Sequence, residues 1–152
     1  LADLHHRRGH LQEIIVQNFQ PKADTRMRSI EPPTLEFFST VVALTRWIFG
    51  AEMNVQVPPN LTEDFGVYLD AGINDWGGVS PLTIDWVNPE APWPHLDHLR
   101  SVTMGEGFDL RPRLPVYPEF VNDRWIDPML LSELDGRADD EAYAVVEEKA
   151  TT

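Results

Sequence analysis

Three carboxylates, Asp75, Asp85 and Glu90, share residues 71–94 with three tryptophans, Trp76, Trp86 and Trp93. Two carboxylates can divide acid and base work on a glycosidic bond, and indole faces suit a sugar. The commoner use of carboxylates in a loop rich in Gly and Pro is to accept hydrogen bonds from nearby backbone amides and close turns. Gly77-Gly78 either lets the backbone approach a ligand's phosphate or ribose, or serves a tight turn. His95 and His98, three apart around Asp97, would share a metal if both faced it from one helix. No third ligand stands at a diagnostic spacing, and a solvated helix face accounts for them more simply. His5, His6 and His10 are open in the same way. Gln17 and Asn18 follow a β-branched run, where amides at the end of a buried strand need partners that a ligand can provide. Asn60, after Pro58-Pro59, is either a similar contact or a turn residue. Glu119 can pair with Arg111 or Arg113 in a purely structural role.

The elements that position these groups read as alternating strands and helices. Residues 13–18 form a short apolar run without alternation, as expected of a strand buried on both faces. Thr34 can cap a helix that has Glu36 in its first turn and Leu35, Phe38, Val41, Val42, Thr45, Ile48 and Phe49 on one side, with Gly50 as its stop. A second strand is expected over 53–57. Thr62 is expected to cap a second helix, with Glu63 and Asp64 in its first turn, Phe65 and Leu69 inward and Gly72 as its stop. A third strand follows at 73–76, then a helix from Pro94 carrying Leu96, Leu99 and Val102 and ending near Gly105 and Gly107. Residues 108–116 read as extended, and a helix with an acidic tail follows from Asp127. The opening segment, Ala2 to Arg8, also looks helical.

This order is that of βα units on a parallel sheet. Each strand delivers polar groups at its C-terminal end: Gln17-Asn18, then Pro59-Asn60, then Asn74-Asp75-Trp76-Gly77-Gly78. In βα barrels and open α/β sheets, ligand sites lie at those ends. A loop as long as 71–94 is usually functional or disordered, and its aromatic content argues against disorder.

Composition bounds the reading. With 152 residues and 42% hydrophobic content the chain fits one domain or part of a larger one. A net charge of -13 disfavours a nucleic-acid partner, which needs phosphates neutralised. The acid excess gathers after Glu133, as in a solvated helix or tail. No run approaches the roughly 20 apolar residues of a membrane span and no secretion signal opens the chain, so no membrane partner is expected and a cytoplasmic protein is the default. Asn60-Leu61-Thr62 is formally a glycosylation acceptor, better read here as a strand end followed by a helix cap. The chain has no cysteine, which excludes disulfides, thiolate nucleophiles and thiolate-bound clusters within these residues. A first residue Leu1 that runs straight into a helical segment reads as a piece of something longer.

Over residues 9–128 the sequence resembles the radical S-adenosylmethionine enzymes that make the deazaflavin chromophore, and specifically the cyclising member of the deazaflavin (FO) synthase pair. The motifs are Gln12-Glu13-Ile14-Ile15-Val16-Gln17-Asn18-Phe19 with Lys22, Thr25 and Met27; Asn54-Val55-Gln56-Val57-Pro58-Pro59-Asn60-Leu61; Ala71-Gly72-Ile73-Asn74-Asp75-Trp76-Gly77-Gly78-Val79-Ser80-Pro81; and Val87-Asn88-Pro89-Glu90-Ala91-Pro92-Trp93-Pro94. Arg113-Leu114 and Tyr117-Pro118-Glu119 continue the match. The continuation through 87–94 separates the chain from the sister enzyme that attaches tyrosine.

The resemblance implies an α/β fold, the C-terminal part of a partial (β/α) TIM-type barrel over residues 1–126, with a helical extension and acidic tail or linker over 127–152. It implies S-adenosylmethionine and a [4Fe-4S] cluster on a Cys-x-x-x-Cys-x-x-Cys loop in the complete protein. The reaction it implies is a carbon-nitrogen lyase step in coenzyme F420 biosynthesis. There, an adduct of tyrosine-derived hydroxybenzyl and ribityl diaminouracil loses ammonia as its ring closes. This sequence departs from the family in having no cysteine, so by itself it is expected to be inactive. On the resemblance, Gln17, Asn18, Gln56 and Asn60 line the rim where the adenosyl group and substrate meet, and Asn74, Asp75 and Ser80 contact the substrate's polar edge. The implied partners are a small-molecule substrate and the tyrosine-attaching synthase, fused or separate. The alternative is a stand-alone α/β binding or interaction module without catalysis.

Overall fold

The computed structural model of the chain describes residues 1–145. Two compact units divide at Phe108. In the first, helix α1 spans Ala2–Arg8 and leads into strand β1, Glu13–Ile15. Helix α2, Leu35–Phe49, crosses over to strand β2, Asn54–Gln56. The two strands pair in parallel, with Glu13 opposite Asn54 and Ile15 opposite Gln56. A parallel pair requires such a crossover, because a tight turn cannot return the chain to the same end.

Local chemistry explains α2. The Thr34 hydroxyl accepts the Phe37 amide at 3.2 Å, filling one of the vacancies at a helix start. Gly50, at φ 84°, ends it. Phe38 and Val42 are buried, against β2 and helix α3, Val67–Asp70. Ile48, expected on the same side, is exposed. It stands in a second stripe with Phe37 and Leu44, at intervals of seven and four residues, also exposed. The expected single apolar face is therefore two.

Strand β2 is the centre of this unit. Asn54, Val55 and Gln56 are buried, as are Met53 and Val57 on either side. The remaining core is Phe65, Tyr68, Leu69, Ile73, Trp76 and Leu99. Tyr68 meets Phe38 edge-on at 5.3 Å and Phe65 meets Trp76 at 5.4 Å. The Trp76 indole N–H donates to Thr103 on helix α4, Leu96–Gly105, at 3.0 Å. Trp76 thus leaves the loop's aromatic set and becomes a core residue.

Two expectations about the chain beyond β2 also need correction. Thr62 caps no helix: Pro59–Leu61 forms a 3-10 turn and Thr62 follows it in extended backbone. Two prolines before Asn60 tighten the chain there, and the helix forms later and shorter, as α3. The third strand shrinks to a bridge in which Asp75 pairs in parallel with Gln56. The Val57 amide donates to the Asp75 carbonyl at 3.2 Å. The reason is a side chain: Asn74 Oδ1 accepts the Val55 amide at 2.8 Å while the Asn74 amide donates to the Val55 carbonyl at 3.1 Å. One asparagine completes the ladder that a longer strand would otherwise make.

In the second unit, residues 109–116 form no strand. Pro112 and Pro115 lack the N–H a ladder needs. A 3-10 turn at Pro118–Phe120 and helix α5, Pro128–Ser132, are its regular elements among the described residues. Asp127 caps α5 by accepting the Met129 amide at 2.9 Å. The acidic segment expected as a solvated helix or tail instead folds back as far as Val145. Arg111 pairs with Asp139 and Glu141 and lies 3.9 Å over the Tyr143 ring, and Ala138 bridges Ala144. The rest of that expectation, residues 146–152, lies outside the described residues. No helix among the described residues is long and apolar enough to cross a membrane.

These contacts set two expectations for stability and association. The Tyr68 hydroxyl is enclosed without a partner, and burial pushes its pKa up to about 12. Tyr68→Phe keeps the Phe38 contact and removes that penalty, so thermal unfolding should show no loss and a gain of up to about 1 kcal/mol. The exposed Phe37, Leu44, Trp47 and Ile48 and a sheet of two strands leave apolar surface and unpaired edges. The 152 residues alone should associate, as light scattering during gel filtration would report; a monodisperse monomer would contradict this.

Candidate functional site at the strand ends

Beyond β2 the chain passes Pro58 and Pro59 to Asn60, and beyond the Asp75 bridge it enters Gly77 and the long loop. Asp75 accepts the Gly77 amide on Oδ1, turning the chain sharply at φ 81°. A Cβ at Gly77 would lie 2.1 Å from Gln56 Nε2 and 2.8 Å from its Cδ. Gly77 is therefore glycine both for its backbone angle and because the Gln56 side chain occupies the space where its Cβ would sit.

The predicted site residues sort into three kinds. Gln56 and Asp75 come together at the bridge, and Asn60, four residues beyond Gln56, reaches the long loop instead. Asn18 lies past the end of β1, where Val16 donates to the Gln56 carbonyl at 2.9 Å. The Oδ1 atoms of both Asn18 and Asn60 are enclosed and lack a donor. Gln17, on the opposite side of the chain, is exposed. Asn74 spends its side chain on the sheet: besides Val55, Oδ1 accepts from Arg46 at 3.0 Å and Nδ2 donates to Asn54 at 3.0 Å. Ser80 lies in the loop, where its hydroxyl oxygen accepts the Leu82 and Thr83 amides at 3.3 and 3.1 Å.

The loop itself is built around Asp85. Its Oδ2 accepts from Asn60 at 2.9 Å and from Asn88 at 3.0 Å, and its Oδ1 accepts the Val87 amide at 2.9 Å. Partial burial alone would push this carboxyl up. The hydrogen bonds from Asn88, Asn60 and the backbone of Val87 and Asn88 outweigh it and hold the pKa at about 2. Such a group is an anchor, not a proton donor at neutral pH, so of the three carboxylates Asp85 does not serve as the acid of a pair. Glu90 pairs with Lys22, which lowers its pKa. Lys22 also donates to Asn88 Oδ1 at 2.9 Å, and Asn88 is buried. Asn60 adds a bond to the Ala91 carbonyl at 2.9 Å.

The identity of these anchors was only partly visible in sequence. Lys22 and Asn88 stand in the motifs, but nothing local pairs them across 66 positions. Trp86 points to solvent, 82% exposed, and Trp93 is half-buried, so the three tryptophans form no common platform. His95 precedes α4 without capping it and His98 meets Phe65 edge-on at 5.5 Å. No group of three His, Asp or Glu side chains is placed to hold a metal among the described residues.

Parallel strands that end in amides beneath an anchored loop define an α/β protein with its polar rim at the strand ends. Comparison with known proteins finds relatives by sequence. The chain is 43% identical over 144 residues to 7,8-didemethyl-8-hydroxy-5-deazariboflavin synthase of Archaeoglobus fulgidus, across 95% of this chain and 44% of that protein. It is 46% identical over 142 residues to the protein of that name from Methanopyrus kandleri, across 93% of this chain and 42% of the relative. It is 50% identical over 132 residues to FO synthase of Streptomyces avermitilis, across 85% of this chain and 15% of the relative. The chain is therefore homologous to deazaflavin synthases over most of its length, and it spans less than half the length of the relatives it matches. No family model and no solved structure matches.

The Asp85 carboxyl gives a sign for pH dependence. Its native pKa lies below the unfolded value of about 3.9, so its contribution is complete above that pH and is lost as pH falls through about 2. Tryptophan fluorescence of the loop should be flat from pH 7 to about 5 and change between about 4 and 2. Asp85→Asn should remove that component; an unchanged acid transition would contradict the assignment.

Proposed function

We propose that the chain is the later portion of a radical S-adenosylmethionine deazaflavin synthase, the one that cyclises the hydroxybenzyl and ribityl-diaminouracil adduct with release of ammonia. The observation that carries this reading is 43 to 46% identity across nearly the whole chain to proteins named for that product. The loop 71–94 and the strand ends then form the rim of the substrate pocket. Relatives named FO synthase are covered to only 15 or 16%, so they are much longer chains. This supports a parent that carries, or meets, the tyrosine-attaching partner. A cytoplasmic location accords with that chemistry.

The cluster that the resemblance implies finds no fit here. The chain has no cysteine, and no metal-holding group is present among the described residues, so cluster chemistry lies outside these residues and the segment alone is inactive. S-adenosylmethionine and the substrate fit better. Asn18 and Asn60 each lack one donor at an enclosed amide oxygen, which a ligand N–H or O–H supplies once covering side chains move aside. Gln17, Asn18, Gln56 and Asn60 are the residues that would hold the adenosyl group and its neighbour, with Asn74, Asp75 and Ser80 shaping the floor and loop of the substrate's side.

The test is anaerobic reconstitution of the complete protein that contains this sequence, with S-adenosylmethionine, a one-electron reductant and the adduct supplied and deazaflavin fluorescence followed. Product should form; an intact cluster without product would overturn the reading. Gly77→Ala, which drives a Cβ into Gln56, should lower kcat/KM by at least about tenfold, the effect of about 1.4 kcal/mol. Gly105→Ala, with open space around its Cβ position, should stay within about twofold.

A further inference from the structure

A cavity of about 510 Å³ opens beside the end of β2. One wall is formed by Asn60, Glu63 and Phe65, and the other by Glu90, Ala91 and Pro92. The second wall belongs to the long loop, which has no helix or strand to hold it between the Asp75 bridge and α4. What holds it is the set of side-chain bonds meeting at Asp85. The carboxylate accepts Asn60 from the first wall, Asn88 from the loop and the Val87 amide, and Asn88 in turn accepts Lys22 from the segment after β1. The segment after β1, the turn after β2 and the loop after the Asp75 bridge are thereby joined through Asp85 and its neighbour Asn88.

We propose that Asp85 is a positioning residue for this cavity, holding the loop that carries its second wall, Glu90, Ala91 and Pro92, with Lys22 and Asn88 as supports, so that the cavity takes a small polar molecule rich in N–H or O–H donors. The ligand class follows from the lining, where Glu63, the Thr62 hydroxyl and the unpartnered Asn60 Oδ1 offer acceptors while Glu90 is held by Lys22. Its assignment as the synthase substrate rests on the proposed function; the fixing of the wall does not. The requirement for a carboxylate is stereochemical. Donors approach both oxygens of Asp85, whereas an asparagine presents one oxygen and turns an NH2 toward the other donors. The anchor is half-buried in a loop whose apolar side chains are not: Leu82, Ile84, Trp86 and Val87 are exposed around it.

The experiment compares wild type, Asp85→Asn, Lys22→Met and the double variant in the protein that carries this sequence together with its flanking chain. Chymotrypsin cleavage after Trp86 reads the wall directly, because a protease needs several residues of backbone released around an exposed bond. Each single variant should speed that cleavage about tenfold, and raise KM for the adduct by a similar factor while kcat falls less than about twofold. The double variant should be no worse than the worse single one, since both sit in one network. Asp85→Asn with wild-type cleavage, faster cleavage without a rise in KM, or multiplying effects in the double variant would overturn the proposal. If Asp85→Asn does not fold, Lys22→Met decides by the first two criteria. If wild type forms no deazaflavin, the proposed function fails, and the cleavage pattern alone confirms or overturns the anchoring of the wall.

Discussion

Arg46 is the constraint on which the first unit depends. From the last turn of α2 its guanidinium donates to the carbonyls of Gly50, Ala51 and Met53, to the Gly72 carbonyl at 2.6 Å, and to Asn74 Oδ1. One side chain therefore joins the end of α2, the approach to β2 and the segment entering the Asp75 bridge. A planar fork of five N–H groups suits this task in a way that a lysine's single ammonium does not. Partial burial lowers its pKa, the cost of taking a cation out of water. Gly72 shows how closely the parts fit: at φ 99° a Cβ there would lie 2.8 Å from Arg46 Cγ.

From that junction the site is built outward. Asn74, held by Arg46, completes the ladder of Val55, and the next residue bridges Gln56. The chain then turns at Gly77 against the Gln56 side chain and runs into the loop that Asp85 anchors. Rigidity passes from a buried strand to an irregular loop through side chains, because the loop has no ladder of its own. Polar groups that sequence alone would offer to a substrate are used instead to build the rim: Asn74 for the sheet, Ser80 for a turn, Asp85 for the anchor.

Much of the fold was legible in the residues. The Thr34 cap and Gly50 stop bound α2 as expected, and the apolar runs at 13–18 and 53–57 contain the two strands. The polar rim was also legible, in the amides that stand at the C-terminal end of each run. The third strand and the helix after Thr62 were not, since an asparagine side chain and a pair of prolines replace regular backbone pairing there, and neither effect has a periodic signature. The TIM-type barrel stays an expectation from resemblance; the structure shows parallel βα units.

The sequence by itself determined the bounds of α2, the two runs that contain β1 and β2, the absence of any thiolate ligand, and the kinship with deazaflavin synthases, because propensity, composition and motif are properties of the chain read in order. Only the tertiary structure decided which polar residue does what. Lys22 and Asn88, or Asn60 and Asp85, lie far apart along the chain and meet only once the strands pair. A carboxylate looks the same in sequence whether it will donate a proton or anchor a loop. The donors gathered around Asp85 by folding make it the anchor.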